Sequence, residues 1–96
     1  MTLIEFKSSL ENEFSSFSNP LLNALWQDGK GNWDIAHEIA QDVLSSDGSW
    51  VHAYLHRKEG DLANAAYWYS KAKKQMPTVS LAEEWERIVA ELLMKK

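Results

Sequence analysis

A chain of 96 residues with 45% hydrophobic content can bury one core and not two, so residues 1–96 are read as a single domain. Its formal net charge of -4, from 10 basic and 14 acidic residues, offers no positive field to a phosphate backbone and argues against nucleic acid as a partner. The chain has no cysteine, which removes disulfide and thiolate chemistry. No apolar run approaches the roughly 20 residues that span a bilayer, and the start MTLIEFKSSLENEF carries acids where a signal peptide is basic, so the expected setting is cytoplasmic with no membrane partner.

Taken in chain order, Thr2 with Glu5 forms a capping box, and Leu3, Phe6, Leu10, Phe14 and Phe17 follow at helical spacing, predicting a first helix over about residues 3–16. Ser18-Asn19-Pro20 starts a second helix reaching about Asp28, since proline is preorganised for a first turn. Gly29 and Gly31 end it, and Asn32 caps a third helix over Trp33 to Leu44. Ser45-Ser46-Asp47-Gly48-Ser49 reads as a loop by composition. A fourth helix covers about Ser49 to Glu59, and its wheel is apolar almost all round, which predicts a central, surrounded element. Gly60 stops it, and Asp61 caps a fifth helix to about Met76, with Pro77 barring a continuation. Ser80 with Glu83 opens a sixth, whose apolar stripe is Leu81, Trp85, Ile88 and Leu92. No segment alternates as a strand does, so the fold class is all-α with about six helices.

Sliding the chain on itself by 29 residues lays LLNALWQDGKGNWDIAHEIAQDV over WVHAYLHRKEGDLANAAYWYSKA, with Ala24 on Ala53, Gly31 on Gly60 and Ala36 on Ala65. Each unit has a small residue in its first helix, a glycine at the turn, Asn32 or Asp61 as cap, and a small residue early in its second helix. Small residues let two antiparallel helices approach, and glycine supplies the positive φ of a tight helix end. Each unit is predicted to be a helical hairpin.

The second unit, AYLHRKEGDLANAAYWYSKAKKQMP, resembles a tetratricopeptide repeat through the Gly60-Asp61 turn and the small, aromatic, small and proline positions Ala65, Tyr69, Ala72 and Pro77. The first unit departs from that pattern at Ala40 and Val43, and its 29-residue period is shorter than the usual 34. The resemblance implies stacked antiparallel hairpins in a right-handed superhelix, with the first and last helices capping the open ends. It also implies a non-catalytic module that docks a protein or peptide on the face of the second and fourth helices. Over a longer span, GNWDIAHEIAQ with WVHAYLHRKEGDLANAAYWY is similar to a group of small bacterial and fungal proteins without an assigned function.

On that face Trp50 and Tyr54 are expected to supply apolar contact and Arg57 to pair with a carboxylate. His52, His56 and Glu59 share one arc of the fourth helix, and His52 and His56 fall where the first unit has Asn23 and Gln27. The four residues Asn23, Gln27, His52 and His56 then make a polar ridge, which either binds the hairpins together or lines a partner-binding cleft. The competing class is a small enzyme or metal protein. Two histidines at i and i+4 can present imidazoles to one ion, with His37 or Glu38 adding a third ligand and Glu59 orienting His56. Against it stand the absence of HExxH and of any glycine-rich phosphate loop, so no cofactor is expected. A structural homodimer through leftover apolar faces is the third reading, making the chain a monomer or a weak homodimer.

Overall fold

The computed structural model describes residues 1–95, and these form six α-helices: α1 (Leu3–Ser9), α2 (Pro20–Gly29), α3 (Trp33–Gln41), α4 (Ser46–Glu59), α5 (Leu62–Lys71) and α6 (Leu81–Met94). The start signals act as their chemistry requires. Thr2 and Glu5 close a reciprocal capping box, Asn19 accepts from the Leu21 amide ahead of Pro20, and Ser80 accepts from Glu83. Asn32 makes no side-chain cap bond and instead donates to Gln27 Oε1 at 2.9 Å.

The repeat is visible in the backbone. Gly31 and Gly60 have φ of +89° and +90°. At both turns the amide after the glycine returns to the carbonyl five residues back, Asn32 to Gln27 at 2.9 Å and Asp61 to His56 at 3.0 Å. Ala24, Ala36, Ala53 and Ala65 are all fully buried, which lets α2 lie against α3 and α4 against α5 as two hairpins. The stop of α5 repeats the device without glycine: Lys73 takes φ 59° and Lys74 N bonds to Tyr69 O, so the helix ends well before Met76.

Three further predicted boundaries move: α3 ends at Gln41 and not at Leu44, α1 ends early and α4 starts early. α1 stops at Ser9 because its exit carbonyls are taken by side chains of α2 and the turn after it. Trp26 Nε1 donates to Ser9 O at 3.1 Å, and Lys30 Nζ donates to Leu10 O and Asn12 O, both at 2.7 Å. Phe17 still reaches the core against Phe6, with ring centroids 5.1 Å apart, whereas Phe14 is left 80% exposed. At the start of α4 the serine-rich loop is helical from Ser46, because Ser45 accepts from Gly48 N at 3.0 Å and serves as N-cap.

One cluster of buried residues draws on all six helices, with α4 at its centre as its wheel predicts. The radius of gyration is 12.3 Å, close to the ~12.5 Å expected of a single compact body of this length. No helix among the described residues is long and apolar enough to cross a membrane.

α6 packs against α2, α4 and α1, with Trp85 Nε1 donating to Leu25 O at 3.0 Å and Glu84 turned into α4. It therefore covers the face of α2 and α4 on which a partner was expected to dock.

Candidate functional site

The covering of that face decides the fate of three predicted contact residues. Tyr54 is 2% exposed and donates from its hydroxyl to Asp28 Oδ2 at 2.8 Å. Trp50 donates Nε1 to Glu84 Oε2 at 3.3 Å, and Arg57 Nη1 reaches Glu84 Oε1 at 2.8 Å while its other nitrogen donates to Val79 O. These side chains hold helices together around the buried carboxylates of Asp28 and Glu84, so the docking surface assigned to Trp50, Tyr54 and Arg57 is an internal interface. Burial, with Asp28 beside it, pushes the Tyr54 hydroxyl far above its ordinary range, and Tyr69 behaves likewise beside Glu84.

The polar ridge also divides. Asn23 bonds to both Phe17 N (3.1 Å) and Phe17 O (3.0 Å), and Gln27 takes the Asn32 amide. Asn23 thus fastens the segment before α2, and Gln27 works inside the first hairpin. His52 and His56 turn the other way, toward α3, where they meet His37.

This meeting has a local origin in helix geometry. Positions 52 and 56 stand one turn apart on α4, so their imidazoles lie side by side, with ring centroids 4.8 Å apart. Trp33 and His37 are likewise i and i+4 on α3, and their rings stack at 5.0 Å and 12°. The Trp33 Nε1 bond to Leu55 O, 2.9 Å, pins the two helices together beside the cluster. His37 Nε2 comes within 3.0 Å of His52 Nε2, and the His37 ring is edge-on to His56 with centroids 5.1 Å apart. Trp68 of α5 closes the far side, stacked on His52 at 4.1 Å.

Each of the three histidines offers a ring nitrogen, and these lie within 4.8 Å of one another. Two ligands held at 2.0–2.1 Å from one ion stand roughly 3–3.5 Å apart, so the His37–His52 pair is already at that spacing, with a His56 nitrogen within 4.8 Å of both. Glu59 Oε1 accepts from His56 Nδ1 at 2.6 Å, the carboxylate–imidazole arrangement that orients metal-binding histidines.

Electrostatics favours the uncharged form of His37 and His52. Burial, reinforced by the His37 and His56 rings, lowers His52 from 6.5 to about 4. Burial also lowers His37, with His56 next, against the opposing pull of Glu59, Asp34 and Glu38. At neutral pH His52 is therefore uncharged and has a lone pair to give. The same shift makes a prediction for the metal-free protein. Because the folded pKa lies below the unfolded one, the denatured chain takes up more protons between about 6.5 and 4, and stability falls as pH is lowered through that window. Urea midpoints at pH 7 and 4.5 are expected to show this fall, and a His52→Gln variant a shallower one; equal slopes for the two proteins would refute it.

His37, His52 and His56 are the predicted residues that the structure brings together. The tryptophan walls were not anticipated: Trp33 was legible as a residue four before His37, but nothing in the sequence pairs Trp68 with His52. In comparisons with known proteins, no protein family, curated protein or solved structure matches this chain.

Proposed function

We propose that this chain binds a divalent first-row transition-metal ion through His37, His52 and His56. The observation that carries the reading is the convergence of three imidazoles from two helices, two of them more than nine-tenths buried, with their nitrogens within 4.8 Å. Three clustered imidazoles are a poor way to fill a core, because each ring's polar atoms must be satisfied and give little net stability in return. A metal ion turns that cost into binding energy.

The donor set narrows the ion. Three neutral imidazoles suit zinc, nickel, cobalt or copper(II), whereas magnesium and calcium require oxygen ligands. A three-histidine site also leaves a coordination position for water or for a side chain or terminus of another molecule. The fold supports the reading, since His37 arrives on one hairpin and His52 and His56 on the other, and an ion bound by all three would clamp α3 to α4.

The test is a titration of protein first stripped of metal. At 100 times the dissociation constant a bound ion adds about 2.7 kcal/mol, which for a chain this small corresponds to a rise of roughly 10 °C or more in Tm. Zinc, nickel or cobalt is expected to produce such a rise and magnesium none, and His37→Ala, at the half-buried position, is expected to abolish it. No rise with any of these ions, together with no retention of metal in equilibrium dialysis, would remove the proposal.

A further inference from the structure

We propose that Glu59 is a positioning residue for this cluster, fixing His56 in the tautomer whose Nε2 is the free donor nitrogen. The inference rests on the reading of the three histidines as a metal site.

A carboxylate can only accept a hydrogen bond, so the 2.6 Å contact from His56 Nδ1 to Glu59 Oε1 places the proton on Nδ1. In the neutral ring Nε2 then carries the lone pair. His37 and His52 are in a different condition: their 3.0 Å contact joins Nε2 to Nε2, so one of those nitrogens holds a proton that must move to Nδ1 before both can bind an ion. Of the three rings, His56 is the one already prepared.

The placement of Glu59 is not explained by the helix that carries it. It stands in the last turn of α4, where the helix dipole disfavours an anion. Its neighbours are committed elsewhere, Arg57 to Glu84 and Lys58 to Asp28 at 2.8 Å each. Asp61, close by, bonds to Asn64 N as the cap of α5. Among the described residues, the one side-chain partner of Glu59 is His56. Its carboxylate is about one-third exposed, so it can be changed without opening a core cavity.

The test uses the full chain and cobalt(II) as the probe. Long-range proton–nitrogen NMR on metal-free protein at neutral pH is expected to show His56 as the Nδ1–H tautomer in wild type and in Glu59→Gln, which keeps a carbonyl acceptor, and a mixture of tautomers in Glu59→Ala. Cobalt affinity is expected to fall about 10–100-fold in Glu59→Ala and less in Glu59→Gln, with the metal-free Tm of both within a few degrees of wild type. A merely structural role would leave the tautomer unmoved. Wild-type cobalt affinity in Glu59→Ala, or an unchanged His56 tautomer there, overturns the inference and leaves the metal site standing. Absence of cobalt binding by wild type overturns both.

Discussion

Glu84→Ala is expected to cost about 3–5 kcal/mol, the loss seen when one partner of a buried ion pair is removed. The Glu84 carboxylate is 2% exposed and accepts from Arg57 Nη1 (2.8 Å), from the Tyr69 hydroxyl (2.6 Å to one oxygen, 2.8 Å to the other) and from Trp50 Nε1 (3.3 Å). Alanine leaves a guanidinium with only the Val79 carbonyl, a hydroxyl and an indole N–H, all short of an acceptor inside the body of the protein. Small domains hold about 5–15 kcal/mol in total, so this single change brings the chain close to unfolding. Urea denaturation measures it. Glu84→Gln, which preserves shape and one acceptor, should lose less, and removing Arg57 together with Glu84 should cost less than the two single losses added, since no charge is then stranded. An alanine variant within ~1 kcal/mol of wild type would show that the network contributes little.

Gly48→Ala is expected to destabilise by about 2–3 kcal/mol, the reverse of the gain of about 0.5–1 kcal/mol that the same change gives in an open helix. A Cβ at this position would fall on the Val43 carbonyl oxygen, 2.9 Å from its carbon and 3.1 Å from Val43 Cβ. The obstacle is backbone, held by the Ser45 N to Val43 O bond of 3.0 Å, and it cannot rotate aside. Gly29→Ala is the matched control. There the Cβ meets Leu10 Cδ2 at 2.9 Å, the flexible end of a side chain, and a smaller loss is expected. If Gly48→Ala proved neutral or stabilising in the same urea series, the close passage of residue 43 under the start of α4 would be wrong.

Ser45-Ser46-Asp47-Gly48-Ser49 has a loop's composition, but Ser45 accepts from the Gly48 amide and starts the helix, because serine suits a helix N-cap as well as a loop. The early end of α1 has a cause outside any local window: Trp26 and Lys30, 17 to 20 residues away in sequence, claim the carbonyls at its exit. In contrast, Gly31 and Gly60 were readable because the need for a positive φ belongs to the residue itself.

The candidate site divides along the same line. By itself the sequence determined that the chain is all-helical, that it contains two similar hairpins, and that His52 and His56 share a face, since each follows from helical period, capping chemistry and backbone freedom within a few residues. Tertiary structure alone decided which neighbours those faces meet. It turned the histidines toward His37 and Trp68 instead of toward Asn23 and Gln27, and it laid α6 over Trp50, Tyr54 and Arg57, with Glu84 meeting Arg57 from 27 residues away. Such pairings depend on how whole helices dock, and the hydrophobic burial that docks them is non-directional, so no short window of sequence records them.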